Sequence, residues 1–367
     1  MICQKNDMFI LDSINEKNQH LAKRIAQLIL IVSGISYLSV YISPAKFWLA
    51  GFIGLAIPAV FFLNLLLLVY FGLRRSGLVL YPVVALVLGF GFWKNTFTWN
   101  GNETEAPDFS VLSYNVRVFN VYGHLNENFK SSRQIIRWVK ENPAEIKCLQ
   151  EFYNHSDSEL FSTLNAIGDS QNYYHYFQKG SHDKFGIAIF SSYPIVNRGL
   201  LGADPRKFNH AIFIDVLVGK DTVRIYNMHL ESMSIDEEAL VNPNPDNLDK
   251  DLQSLVKKLK NGFKKRATQV DLLVQHIKEC PYPVVLAGDM NDVPYSYSYR
   301  CLKKVLSNSF EQTGKGFGTS YNGKLPFLRI DNQFFSQALK AMNFETHTQV
   351  PYSDHFPITA EYKVKQD

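Results

Sequence analysis

The chain has 367 residues, a net charge of +4 and four cysteines, Cys3, Cys148, Cys280 and Cys301. That length accommodates two or three domains and is ample for one large core. The small net charge selects no partner, while the lack of a CxxC pair or of Cys/His pairs at ligand spacing argues against a structural zinc site and a disulfide scaffold.

From about residue 26 to residue 93 only Lys46, Arg74 and Arg75 interrupt an apolar text. Three stretches, residues 26–43, 47–73 and 77–93, approach the roughly 20 apolar residues that cross a bilayer. Ser43-Pro44 and Arg74-Arg75-Ser76-Gly77 separate them, the third contains Pro82, and Tyr41, Phe47, Tyr70 and Trp93 stand near the ends, where interfacial aromatics are found. A cleavable signal peptide fits less well, because the apolar region has several segments and starts some 25 residues in. Lys17, Lys23 and Arg24 precede the first stretch and Arg74-Arg75 lie between the second and third, while the segment after Lys94 is acidic. With three crossings, this distribution puts residues 1–25 in the cytoplasm and the rest of the chain beyond the spans on the far side; two crossings would reverse it. Residues 26–94 are thus expected to form a transmembrane region, 95–106 a linker ending at Pro107, and 107–367 a soluble domain.

Beyond the linker, short runs rich in β-branched and aromatic residues alternate with turn residues and a few helical patterns. Strands are predicted at 109–116, 146–150, 173–178, 186–191, 211–218, 222–229, 284–288, 330–335 and 358–362, and helices at 131–140 and 265–280. Residues 232–260, with Asn-Pro-Asn-Pro and Asp-Asn-Leu-Asp, read as a long insertion or loop. Strands outnumber helices, and the helices fall between strands, so the expected class is α/β, two sheets packed together with helices outside.

Polar residues gather at the ends of these strands. Asn115 closes the first, Glu151 the second and His229 the sixth; Asp289 and Asn291 follow the seventh, Asp331 falls in the eighth, and Ser353-Asp354-His355 precedes the last. Taken singly, each Asn or Asp would pass for a turn former and each His for a residue satisfied by its neighbours. Their ordered succession is not something that independent turns require.

The words LSYNV, LQE, GIAIFSSYPI, NMHL, LAGDMND, RID and SDH, in this order, resemble the endonuclease/exonuclease/phosphatase superfamily over the whole soluble domain. That superfamily includes deoxyribonuclease, exonuclease III-type nucleases, neutral sphingomyelinases and inositol-polyphosphate 5-phosphatases. The resemblance implies a four-layer α/β sandwich of two mixed sheets flanked by helices, and hydrolysis of phosphate esters. It implies that Asn115, Glu151 and Asp354 hold a divalent metal, Mg2+ or Mn2+, a choice that oxygen ligands favour. Asp289 and Asn291 would orient the attacking water and the phosphate. His355, paired with Asp331, would transfer a proton or hold the phosphate as a cation, and Asn227, Asn291 and Tyr321 would contact substrate. His229 stands where exonuclease III-type enzymes carry Asn, which favours a second histidine protonating the leaving oxygen. Asn332 departs from the aromatic or basic residue that many relatives have after Ile-Asp.

Lys257, Lys258, Lys260, Lys264, Lys265 and Arg266 form a basic run that could attract a polyanion or serve as a solvated helix face; Arg266 stands where relatives also have Arg. The expected function is therefore a membrane-anchored phosphodiesterase of endonuclease type. The alternatives are a phospholipid or phosphoinositide phosphoesterase and a catalytically inactive tethered domain. Expected partners are a phosphate ester, either nucleic acid or a lipid headgroup, and the bilayer; no protein partner is inferred.

Overall fold

The computed structural model describes residues 2–101, 103, 105–123, 129–178, 184–201, 209–233, 248–325 and 327–365. Two compact units divide the chain, Met1–Lys94 and Asn95–Asp367.

The first unit is helical, with helices at Ile2–Ser39, Leu49–Leu55 and Ile57–Leu73 and a fourth at Leu80–Thr96, entered through a 3-10 turn at Gly77–Val79. Among the described residues, three segments are long and apolar enough to cross a membrane: Gln19–Ser39, Leu49–Leu73 and Gly77–Thr96. Pro58 and Pro82 fall in first turns, where a missing N–H costs the helix nothing. The first span starts and stops earlier than residues 26–43. Helix-forming Glu, Lys, Gln and Leu carry the helix back through the expected N-terminal segment, and the approach to Pro44 ends it at Ser39. Buried Asn64 donates to Ser33 Oγ at 2.9 Å, a polar bond of the kind that fixes helix pairs where apolar surface alone gives no preference.

The second unit contains β1 (Thr98–Trp99), β2 (Phe109–Asn115), β3 (Ile146–Tyr153), β4 (Tyr173–Gln178), β5 (Phe185–Ser191), β6 (Ile195–Leu201), β7 (Ala211–Val218), β8 (Asp221–His229), β9 (Val284–Asp289), β10 (Ser307–Asn308), β11 (Lys315–Gly316), β12 (Asp331–Phe335), β13 (Leu339–Thr346) and β14 (Ile358–Val364). Among the described residues they form one sheet in the order β13-β14-β2-β3-β5-β4, another in the order β10-β12-β9-β8-β7-β6, and a β1-β11 ribbon. Each large sheet is mixed: β2 and β3 run parallel, as do β8 and β9, and their other neighbours are antiparallel.

Strand alternation assigns the layers. Phe109 and Val111 of β2 and Ile146 and Cys148 of β3 point inward to meet Ile212, Ile214, Ile225 and Val285 of the facing sheet. Their neighbours Leu112, Tyr114 and Leu149 point outward against Ile135, Ile136 and Val139 of the Lys130–Glu141 helix. On the far side, Tyr226, Met228 and Leu286 pack on Val270, Leu273 and Ile277 of the Leu248–Lys278 helix. The result is helix, sheet, sheet, helix: the expected four-layer sandwich. Buried Lys147 donates to the main-chain oxygens of Val139 and Lys140, capping the end of the first of these helices.

Three departures from the sequence reading have physical causes. Strands β6 and β13 were not anticipated. The first is an exposed edge strand interrupted by Asn-Arg-Gly, and the second carries a register shift between Ala341 and Asn343 that breaks its alternation. The expected loop 232–260 is helical from Leu248 onward, because the Asp-rich start and the Leu/Val spacing extend the Leu248–Lys278 helix backward; residues 234–247 lie outside the described residues. The expected linker 95–106 is docked on the second unit. Thr98 and Trp99 pair with Gly316 and Lys315, Thr98 Oγ1 donates to Gly314 O, and Asn95 O accepts from buried Arg329.

Candidate active site

Both parallel pairs end at the same place. Register sets Asn115 opposite Gln150, just before Glu151, and His229 opposite Asp289, which in turn pairs with Asp331. Between the sheets at this end, the apolar layer gives way to amides. Gln150 Nε2 donates to Asn227 Oδ1 at 2.6 Å and approaches Ser113 Oγ at 3.2 Å. Asn227 Nδ2 donates to Leu149 O and Ala188 O, tying the two sheets together. Asn227 is fully buried and its carboxamide is committed on both sides, so the substrate contact expected of it is not available.

Backbone geometry turns the strand ends into the site. Gly288 has φ +140, and a Cβ there would run into the main-chain oxygen of Met228, so only glycine allows β9 to approach β8 this closely. Glu151 (φ +49) and Asn291 (φ +49) adopt the left-handed region, which non-glycine residues occupy at some cost and which is common at functional sites. At Glu151 this coincides with the irregularity between Leu149 and Phe152 in the β3–β5 ladder.

Eight of the expected residues converge: Asn115, Glu151, His229, Asp289, Asn291, Asp331, His355 and Tyr321. Asn115 Nδ2 lies between two carboxylates, 3.1 Å from Asp289 Oδ2 and 3.4 Å from Glu151 Oε1. His229 Nε2 faces the same pair, at 3.7 Å from Asp289 and 3.8 Å from Glu151. Asn291 holds Asp289 by its backbone N–H at 2.8 Å and its Nδ2 at 3.0 Å, and also donates to Leu230 O. Across Asp289, His355 Nε2 stands at 3.8 Å, while its Nδ1 donates to Asp331 Oδ2 at 2.8 Å. Ser320 Oγ accepts from the main-chain N–H groups of Ile330 and Asp331, fixing the start of β12. Tyr321 packs edge-on against the His355 ring.

Asp354 stands apart from the Asn115–Glu151 pair in its bonding. Its carboxylate is 3.4 Å from Arg117 Nε and 3.1 Å from Ser353 Oγ, and Ser353 Oγ also reaches Asn115 O at 2.8 Å. Arg117 is a cleft residue that motif reading passed over; its one signal was position, directly after LSYNV. Asn332, the departure from relatives, is buried and bonded to Arg329 and Asn308, so it lies away from any substrate. Buried Arg266 bonds Asp292 and Glu231 O and thereby braces the loops after β9 and β8.

The electrostatics separate two groups. Burial pulls the His355 imidazole down, but Asp331, Asp289, the Asp331 hydrogen bond and Asp354 outweigh it and push its pKa up to about 10. Burial raises Asp331, which His355 partly offsets. With a second carboxylate, Asp289, facing the ring, the shared proton belongs on His355. Asp289, Asp331 and His355 have ligand-type atoms within 4.8 Å of one another among the described residues. Because His355 and Asp331 are bonded to each other, this trio reads as a charged proton-bearing pair rather than a cation cage. Glu151, partly exposed, and Asp289 instead concentrate negative charge around Asn115, and the buried His229 Nε2 has no hydrogen-bond partner among the described residues. An oxygen-rich, net anionic pocket with an unsatisfied buried nitrogen fits a hard divalent cation and an incoming anionic substrate.

A sandwich of two mixed sheets with carboxylates and histidines at its strand ends defines a fold of the phosphoesterase and nuclease class. The chain belongs to the endonuclease/exonuclease/phosphatase family, whose model matches residues 112–355. A second model, described as a domain of unknown function (DUF8431), matches residues 20–96. Among solved structures, an endonuclease/exonuclease/phosphatase family protein from Bacteroides thetaiotaomicron is similar at 17% identity and TM-score 0.51, covering 70% of this chain and 98% of its own. A mannosyl-6-phosphatase from Bacteroides thetaiotaomicron VPI-5482 is similar at 17% identity and TM-score 0.50, covering 69% and 99%. No curated protein matches the chain.

Proposed function

We propose that the protein is a membrane-anchored, divalent-metal-dependent phosphoesterase that hydrolyses a phosphodiester by attack of water on phosphorus. The observation that carries this reading is the convergence of Asn115, Glu151, His229, Asp289, Asp331 and His355 at the ends of two parallel strand pairs. Glu151 and Asn115, with Asp354 at the mouth, would hold Mg2+ or Mn2+. When bound, the ion supplies Lewis-acid stabilisation of charge on the phosphoryl and leaving oxygens.

The remaining chemistry is that of the chain. Asp289, held by Asn291, orients the nucleophilic water and accepts its proton. His355, kept as the imidazolium by Asp331, places positive charge where phosphoryl negative charge develops. His229, buried and facing the carboxylates, delivers a proton to the leaving oxygen. Asn291 and Tyr321 bound the phosphate site. A catalytically inactive role is disfavoured because each of these positions holds a competent residue.

A panel of plasmid DNA, RNA, sphingomyelin, phosphoinositide vesicles and a simple phosphomonoester, incubated with the full chain and Mn2+, tests the substrate class. Hydrolysis of none of them would remove the phosphoesterase reading. The basic residues before the first span and between the second and third support an extracytoplasmic second unit. A C-terminal alkaline phosphatase fusion should then be active, and an inactive, well-expressed fusion would reverse the sidedness.

A further inference from the structure

The β1-β11 ribbon has two unlike faces. Thr98 and Gly316, paired across it, turn one face inward, where Thr98 is buried and bonded to Gly314 O. Phe97 and Trp99 flank the buried Thr98, and on the opposite strand Lys315, the partner of Trp99, and Phe317 flank Gly316. Phe97 and Phe317 meet edge to face at 5.1 Å, and Phe327 lies 5.7 Å from Phe317. Trp99 is 83% exposed and Phe327 69% exposed, large values for aromatic side chains on a compact unit. This aromatic face opens on a groove of about 520 Å³ floored by Phe310 and Phe344.

Chain connectivity states what covers it. The third apolar segment, Gly77–Thr96, has 20 residues, and at a helical rise of 1.5 Å per residue it spans about 30 Å, the thickness of the hydrocarbon core. Phe97 is the next residue, and Trp99 lies at most about 10 Å of extended chain beyond Thr96. That reach falls within the headgroup layer, where tryptophan and lysine are favoured.

We propose that the face formed by Trp99, Phe317 and Phe327, with Lys315 beside Trp99, is a lipid-docking surface that lies in the headgroup region of the bilayer. The inference rests on the membrane-anchored reading above. Docking there has a consequence for the cleft. Phe317 is only a few residues from Ser320, which fixes Asp331, and Tyr321, which packs on His355. The face and Tyr321 are thus parts of one segment, and lipid contact at Phe317 restrains the residues that hold Asp331 and pack on His355.

The test uses the full chain in nanodiscs of ordinary phosphatidylcholine or of phosphatidylcholine brominated near the headgroup end of its acyl chains. Phe327→Trp supplies a reporter on the face, Val196→Trp one on the exposed edge strand β6, and the difference between wild type and Trp93→Phe reports on the third span. The expected result is that bromination removes at least half of the emission added by Phe327→Trp and leaves that of Val196→Trp unchanged. Quenching of Trp93 without quenching of Phe327→Trp overturns the docking surface and leaves the anchor intact; equal quenching of both added tryptophans also overturns it. Failure to quench Trp93 overturns the anchor itself. Should Phe327→Trp not fold, native Trp99, read by difference with Trp99→Phe, takes its place with the same two outcomes.

Discussion

His355 has the most unusual environment in the cleft, because three carboxylates act on one buried ring. A histidine whose pKa is higher folded than unfolded adds stability that is full below the unfolded value of about 6.5 and is lost as pH rises through the folded value. With the folded pKa pushed up to about 10, wild-type protein should lose thermal stability steadily between pH 6.5 and 10. Asp331→Asn should flatten that slope, as melting in detergent across this range would show; an unchanged slope would separate the pair from stability. Removing the imidazole by His355→Ala should lower kcat by about 10²- to 10³-fold, the usual loss for one preorganised electrostatic group, with little change in KM. Asn227 should behave differently. Its amide bonds both sheets, so Asn227→Ala strands Leu149 O, Ala188 O and Gln150 and should cost about 1–3 kcal/mol. KM should stay at the wild-type value, and a raised KM at unchanged stability would return Asn227 to the substrate. The motif words made the candidate residues legible but not this distinction. NMHL identifies a strand end whose alternation turns both Asn227 and His229 toward the facing sheet, while which of them is covered by β3 and β5 and which reaches the cleft emerges only when both sheets are present.

At the scale of elements, the site depends on how closely β8 and β9 approach. Gly288→Ala should reduce stability by about 3 kcal/mol or more, since φ +140 and the Met228 main-chain oxygen leave no room for a Cβ. A thermal melt within a degree of wild type would mean that the strands separate freely there. Most of the strands were legible because their inward and outward residues alternate and turn residues bound them. The Ile195–Leu201 strand was not, since an exposed edge needs no apolar period, and the residues before 265 were not, since the Leu248–Lys278 helix has a mostly polar surface. Residues 95–101 read as linker because their polar composition hides what holds them: Arg329, Lys303 and Gly314, each more than 200 positions away in sequence.

For the whole molecule, two composition regimes in one chain correspond to two compact units, one apolar and helical, one a four-layer sandwich. Boundaries of this kind are legible because the solvent that each unit must face dictates its composition. What composition cannot encode is the proposed cation site, whose ligands Asn115, Glu151 and Asp354 would come from β2, β3 and the segment before β14. Catalysis in this anionic cleft should therefore depend on a divalent ion. The decisive measurement is the rate at which full-length protein in detergent hydrolyses bis(p-nitrophenyl) phosphate, before EDTA, after it, and after restoring Mg2+ or Mn2+, in wild type and in Asp289→Ala. EDTA should abolish hydrolysis, the added ion should restore it, and Asp289→Ala should remain inactive throughout. Undiminished hydrolysis in EDTA, or wild-type rates from Asp289→Ala, would contradict this reading of the cleft.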